Sequence, residues 1–166
     1  MRNKTRSMVY GAIIAALYVV LTHLQNIIFP NSANLAIQFR AAEALCVLAF
    51  FTPAAIGGLT VGCFLFNLTS GAALPLDFLV GSLATMCAAG CMWKLRGFTI
   101  KGYPLWGMLM PALWNLPLEG WELTVYVGSG FLFNALCVAI GELAVMLSLG
   151  TVVYYTVKAH RQQLKL

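Results

Sequence analysis

Six ionisable residues in this 166-residue chain lie in or beside apolar sequence, away from its basic clusters: Arg40, Glu43, Asp77, Glu119, Glu122 and Glu142. Glu142 falls near the middle of the last apolar segment. A charge at the centre of a bilayer is penalised by about 2.5–3.5 kcal/mol on translocon scales for Asp, Lys and Arg. Such a residue usually faces a cavity or a partner. Glu142 therefore reads as a ligand-binding carboxylate or as an internal tie between helices. Asp77 follows Pro75 and opens another apolar segment, so it is either a second ligand carboxylate or an acid favoured by the helix dipole. Gly81, Ser82 and Thr85 follow within two turns and make a small, polar helix face.

Gln38, Arg40 and Glu43 cluster ahead of a further apolar run. Arg40 and Glu43 can pair at i, i+3; alternatively, Gln38 and this loop cap a pocket. Trp114 and Asn115 precede Glu119, and Pro111 is expected to kink this segment. A kink aims an aromatic face and an amide at one pocket. An interfacial aromatic belt accounts for Trp114 and Trp121 as well. Asn67 and Asn134 are amides at expected membrane depth, open to ligand contact or to helix–helix hydrogen bonding.

No phosphate-binding GxxxxGK[ST] loop, nucleophile–His–acid set or metal-ligand constellation is present. The histidines are His23 and His160. The chain is expected to need no cofactor or metal and to be no enzyme, which leaves binding, transport or scaffolding. Five cysteines, Cys46, Cys63, Cys87, Cys91 and Cys137, sit in apolar sequence and read as free packing thiols.

The elements that must position these groups are membrane helices. The chain is 61% hydrophobic and 9% charged, against about 25% charged residues in a soluble domain. Nine of the ten basic residues form three clusters: Arg2, Lys4, Arg6; Lys94, Arg96, Lys101; and Lys158, Arg161, Lys165. Basic loops stay cytoplasmic during insertion. The net charge of +5 is thus orientation and lipid-headgroup contact, with no nucleic acid as partner.

Six segments approach the roughly 20 apolar residues that a spanning helix needs: Ser7–Phe29, Arg40–Phe51, Pro53–Thr69, Pro75–Trp93, Tyr103–Leu118 and Val127–Val157. The second is short. The run from Met8 to Leu24 is too long for a signal h-region and reads as a retained span. Six spans place both termini and Lys94–Lys101 on the cytoplasmic side, in agreement with all three basic clusters. The outward loops are then Pro30–Phe39, Ser70–Leu74 and Glu119–Tyr126. The expectation is an all-α, polytopic membrane protein, one six-helix domain over residues 1–166. On the first span, Gly11 and Ala15 are spaced small-xxx-small, as are Ala12 and Ala16. Either pair permits close packing within the bundle or docking of a separate membrane subunit.

The segments IQFRAAEAL (Ile37–Leu45) and LDFLVGSLAT (Leu76–Thr85), with Gly141–Glu142, resemble the queuosine-precursor transporter family. The six-span plan and the small-residue face resemble substrate-binding (S) components of energy-coupling-factor transporters. That resemblance implies a plasma-membrane, multi-pass protein that captures a small molecule from outside. It implies docking through Gly11, Ala12, Ala15 and Ala16 onto a transmembrane coupling (T) subunit, with two cytoplasmic ATPases driving inward release. The implied substrate is a 7-deazaguanine. Its ring N1–H and exocyclic amine suit bidentate acceptance by a carboxylate, from Glu142 or Asp77. Its oxygen would take a donor from Asn115, Gln38 or Arg40, and Trp114 would cover its face. Because Glu43, Asp77, Glu119 and Glu122 lie on the outer side, an aminomethylated base or queuine is expected over the neutral nitrile. An S component for another vitamin-like nutrient and a membrane scaffold without a ligand are the alternatives.

Overall fold

Prolines divide the apolar sequence, because proline lacks an amide donor and disfavours helix in the residue before it. In the computed structural model, which describes residues 2–30, 39–71 and 73–163, helix α1 (Arg2–Ile28) stops two residues before Pro30. A 3-10 helix covers Ala41–Phe50. Pro53 caps α2 (Ala54–Thr69), and Pro75 shortly precedes α3 (Asp77–Leu95). Pro104 caps the single turn α4 (Leu105–Met108), which leads into α5 (Met110–Val127). The chain ends in α6 (Phe131–Val145), a π-helical turn at Met146–Gly150 and α7 (Thr151–His160). The described residues are thus mostly helical, joined by turns and short irregular segments, with one isolated bridge between Ile100 and Tyr103.

Three differences from the sequence expectation bear on function. The second segment is a 3-10 helix rather than a short α-helix. A rise of about 2.0 Å per residue stretches its ten residues to about 20 Å, against about 15 Å as α-helix. Next, Glu119–Tyr126, expected as an outward loop, is helical. α5 runs on to Val127 and stops at Gly128, whose φ of 74° is the left-handed conformation that closes a helix. Pro111 does not kink the span: it occupies the first turn of α5, where its missing amide is harmless, and Pro117 is the interior proline. The last segment, expected as one long span over Val127–Val157, is 30 consecutive helical residues from Phe131 to His160 that pass through the π-helical turn.

Three helices are long and apolar enough to cross a membrane by length and composition: Lys4–Ile28, Asp77–Leu95 and Phe131–His160. Ala41–Phe50 and Ala54–Thr69 are apolar but shorter. The side-chain distribution is inverted relative to a soluble protein. Exposed apolar stripes run along α1 (Ile13, Leu17, Leu24), α3 (Leu79, Leu83, Met86) and α6 (Leu132, Leu136, Ile140). All five acidic residues of the chain are buried, each 5% exposed or less. Apolar outside and acid inside is the arrangement of a membrane protein.

The 3-10 helix is the hub. Ala42, Cys46, Val47 and Ala49 on it are fully buried, and it packs against α1, α2, α3, α6 and α7. The basic clusters gather at one end of the bundle. Ser7 and Met8 lie beside Pro53 and Ala54, Phe51 stacks near Tyr154, and Lys158 Nζ donates to the Gly102 carbonyl at 3.4 Å.

Helices α1 and α2 touch backbone to backbone. A Cβ on Gly58 would lie 2.6 Å from the Gly11 carbonyl oxygen, and one on Gly62 2.7 Å from Tyr18 Cβ. By contrast, a Cβ on Gly57 meets nothing within 4 Å. Gly58→Ala is therefore expected to lower the unfolding midpoint of the detergent-purified protein, at a cost of about 1–3 kcal/mol from overpacking. Gly57→Ala, one residue away, is expected to be neutral or slightly stabilising through helix propensity. Thermal unfolding of the two variants side by side checks the contact.

Candidate functional site

Gln25 starts the site by fixing where the 3-10 helix begins. Its Nε2 donates to the Phe39 carbonyl, and its Oε1 accepts the Ala41 amide at 2.7 Å. Arg40 between them is extended (φ −101°, ψ 93°) and points its guanidinium inward. Its Nη1 donates to Glu119 Oε1 at 2.8 Å, an ion pair in which the two side chains are 1% and 2% exposed. The expected Arg40–Glu43 pair is thus replaced by a link to α5, 79 residues along the chain. Glu43 turns to other donors. Tyr18 on α1 donates its hydroxyl to Glu43 Oε1, and Cys46, one 3-10 turn on, donates its thiol to Oε2 at 3.0 Å.

Asn115, Glu119 and Glu122 on α5 are spaced i, i+4, i+7, which places them on one helix face. All three are buried. Asp77 faces them from the start of α3, and its carboxyl lies against that of Glu122. Asp77 Oδ2 accepts the Leu74 amide at 2.7 Å, while the Asp77 carbonyl accepts Asn67 Nδ2 at 2.8 Å. Gly81, one turn along α3, lets three polar side chains approach the helix closely. A Cβ there would lie 3.0 Å from Asn67 Nδ2, 3.3 Å from Glu119 Oε1 and 3.5 Å from Arg40 Nη1. Glu142 approaches from α6, with Asn115 beside it and with Glu43, Glu119 and Arg40 as its charged neighbours.

The cluster is short of hydrogen-bond donors. Both carboxyl oxygens of Glu122 and of Glu142, Glu119 Oε2 and the amide oxygens of Asn67 and Asn115 are buried without a donor in hydrogen-bonding geometry. An unsatisfied buried acceptor costs about 1–3 kcal/mol, and more when charged. Seven such acceptors gathered among α2, α3, α5 and α6 suit a ligand that brings several N–H groups. Among the described residues no group of three or more His, Cys, Asp or Glu is arranged to hold a metal ion.

The structure thus brings together Arg40, Asn67, Asp77, Asn115, Glu142 and Glu43 from the sequence candidates, with the Glu43 oxygens already engaged. Gln38 lies outside the described residues. Trp114 is half-buried, and its indole N–H donates to Cys91 on α3 at 3.4 Å. Asn134 bonds to Thr124 and Ser129, joining α5 to the turn before α6. The cysteines are all free thiols. The sequence reading placed Glu119 and Glu122 in an outward loop and missed Tyr18 and Gln25. The helical spacing of Asn115, Glu119 and Glu122 was the available signal for the two acids.

The four small residues of α1 divide between two faces. Gly11 and Ala15 pack on Gly58 and Gly62 of α2, whereas Ala12 and Ala16 are exposed. A groove of about 490 Å³ opens there, lined by Met8, Gly11, Ala12, Ala15, Gly57 and Gly58 among others.

Comparison with known proteins follows this geometry. The sequence matches the QueT transporter family across residues 8–159. The chain belongs to the QueT transporter family. That match runs from α1 into α7 and so includes every element of the carboxyl cluster. One relative, the queuosine precursor transporter QueT of Lactococcus lactis subsp. cremoris (strain MG1363), is 38% identical over 85 residues, covering 51% of this chain and 48% of the relative. The aligned part therefore spans about half the length of that curated protein. No solved structure matches the chain.

The buried ion pair makes a sharp test. Arg40→Leu leaves Glu119 buried without its cation and is expected to cost about 3–5 kcal/mol. The double variant Arg40→Leu/Glu119→Leu removes both charges and is expected to recover most of that loss. Unfolding midpoints of the two single variants, the double variant and the wild type close the cycle.

Proposed function

We propose that this protein is the substrate-binding (S) component of an energy-coupling-factor importer in the plasma membrane. It captures a queuosine precursor or salvage base of the 7-deazaguanine class from outside. It releases that base inward together with a transmembrane coupling subunit and two cytoplasmic ATPases. Membership of the QueT transporter family and the printed name of the Lactococcus relative support the substrate class. The observation that carries the reading is the set of buried acceptors without donors.

A 7-deazaguanine has N–H groups at ring N1, at the exocyclic amine and at the pyrrole nitrogen, with one carbonyl acceptor. Glu142 accepts the adjacent N1–H and amine hydrogens as a bidentate carboxylate, the stronger kind of hydrogen-bonded pair. Asn115, beside Glu142, turns its amide N–H to the base carbonyl, and Arg40 is the second donor near it. Gly81 lets Asn67, Glu119 and Arg40 come together against α3, and Trp114 contributes to the wall between α3 and α5. Glu43, held by Tyr18 and Cys46, fixes the 3-10 helix behind the ligand.

On the outward face, Ala12 and Ala16 with the α1–α2 groove accept a helix of the coupling subunit. Small residues permit the close approach that packing between membrane helices needs.

Calorimetric titration of the purified protein with queuine, aminomethyl-7-deazaguanine and nitrile-7-deazaguanine, with guanine as control, tests the substrate class. We expect tight binding of at least one 7-deazaguanine. Glu142→Gln, which exchanges a double acceptor for one acceptor and one donor, is expected to weaken it on the order of 100-fold or more. Absence of binding to all of them, with competition by a vitamin instead, would move the protein to another nutrient. Unchanged uptake in cells carrying Glu142→Gln would favour a scaffold. The docking face is tested separately. Ala12→Leu/Ala16→Leu is expected to leave ligand binding intact and to abolish uptake with the full set of subunits.

A further inference from the structure

The carboxyl cluster has two ends, divided by the Arg40–Glu119 pair. Glu142 has Glu43, Glu119 and Arg40 as principal charged neighbours, with the Asn115 amide beside it. Glu122 has Asp77, Glu119 and Arg40. The base edge assigned to Glu142 therefore accounts for only one end. At the other, three groups from three helices converge: Asn67 from α2, Asp77 from α3 and Glu122 from α5. Glu122 is 1% exposed with neither oxygen meeting a donor, and Asn67, 4% exposed, has an amide oxygen in the same condition. The Asn67 amide nitrogen is already committed to the Asp77 carbonyl, which fixes the side chain against α3.

We propose that Glu122, Asp77 and the Asn67 amide oxygen form a subsite for a primary ammonium group on the substrate. The inference rests on reading the interior as the binding site for a 7-deazaguanine. An ammonium carries three N–H donors and no acceptor. It meets here two carboxyls and one amide oxygen. Glu119, Asp77 and Glu122 all have Arg40 as a cationic neighbour, and its 2.8 Å bond goes to Glu119, so a cation from the ligand suits the Asp77–Glu122 end. A neutral substituent such as a nitrile has no N–H to give and is itself an acceptor, which places acceptor against acceptor. Glu122 thus acts as the specificity-determining residue, choosing the cationic aminomethyl form over its neutral nitrile precursor. The ligand spans the two ends, with its planar donor edge on Glu142 and its ammonium on Glu122 and Asp77.

Calorimetry on the full chain reads this directly. The wild type is expected to bind aminomethyl-7-deazaguanine on the order of 100-fold more tightly than the nitrile. Glu122→Gln is expected to erase that preference, and Asp77→Asn serves as the second variant should the first fail to fold. Glu142→Gln is expected to weaken both bases together. Equal wild-type affinity for the two bases overturns the ammonium subsite, as does a preference that survives both substitutions. If neither base binds, the substrate reading fails, and the subsite is judged separately by thermal stabilisation with benzylamine against benzyl alcohol. Stabilisation by the amine alone, lost in Glu122→Gln, upholds the subsite; equal response to both probes, or to neither, overturns it.

Discussion

An ionised group inside a bundle that shows hydrocarbon outward has no bulk water to retreat to. Its partner must come from the protein or from a ligand. In this chain that constraint acts on every acid, because all five are buried. The Arg40–Glu119 bond is where it is met most fully. It draws the start of the 3-10 helix onto α5, 79 residues away. The 3-10 helix is in turn the element on which α1, α2, α3, α6 and α7 converge. Loss of this pair therefore acts beyond one contact. It removes a tie between the hub and α5, the helix that also carries Asn115 and Glu122.

The 3-10 geometry of the hub is part of the same solution. Runs of this helix beyond a turn or so are uncommon, since its hydrogen bonds are poorer. Here it extends over ten residues. Residues three apart eclipse one another, so the Cys46 thiol comes under the Glu43 carboxyl at 3.0 Å. In an α-helix the same step would rotate the side chain away by about 60°. The Tyr18 hydroxyl completes Glu43 from α1. A carboxyl with both oxygens engaged serves as a structural tie. Glu122 and Glu142 have neither oxygen engaged. The division of labour among chemically similar side chains is thus set by which donors the backbone brings within reach.

Much of the scaffold was legible in the sequence. The long apolar runs of α1, α3 and the last segment marked those helices in the sequence. The α5 boundary was misjudged because Glu119, Trp121 and Glu122 have the composition of a loop. The i, i+4, i+7 spacing with Asn115 pointed the other way, and spacing proved the better guide. The partner of Arg40 could not be read at all: a local i, i+3 match with Glu43 was available, and the tertiary fold overrode it. The small residues of α1 were legible only as a set. Gly11 and Ala15 differ from Ala12 and Ala16 by one residue step, about 100° around the helix. Which pair packs inward depends on Gly58 and Gly62 of α2, whose four-residue spacing matches the first pair.

That one-step difference has a structural consequence. α1 carries Tyr18 inward onto Glu43, while Ala12 and Ala16 face outward. The carboxyl cluster and the outer surface are therefore separated by a single helix held tightly against α2, with no backbone slack at Gly58. The Tyr18–Glu43 hydrogen bond ties α1 to the 3-10 helix, so the buried acids and the exposed Ala12 and Ala16 face belong to one closely packed unit.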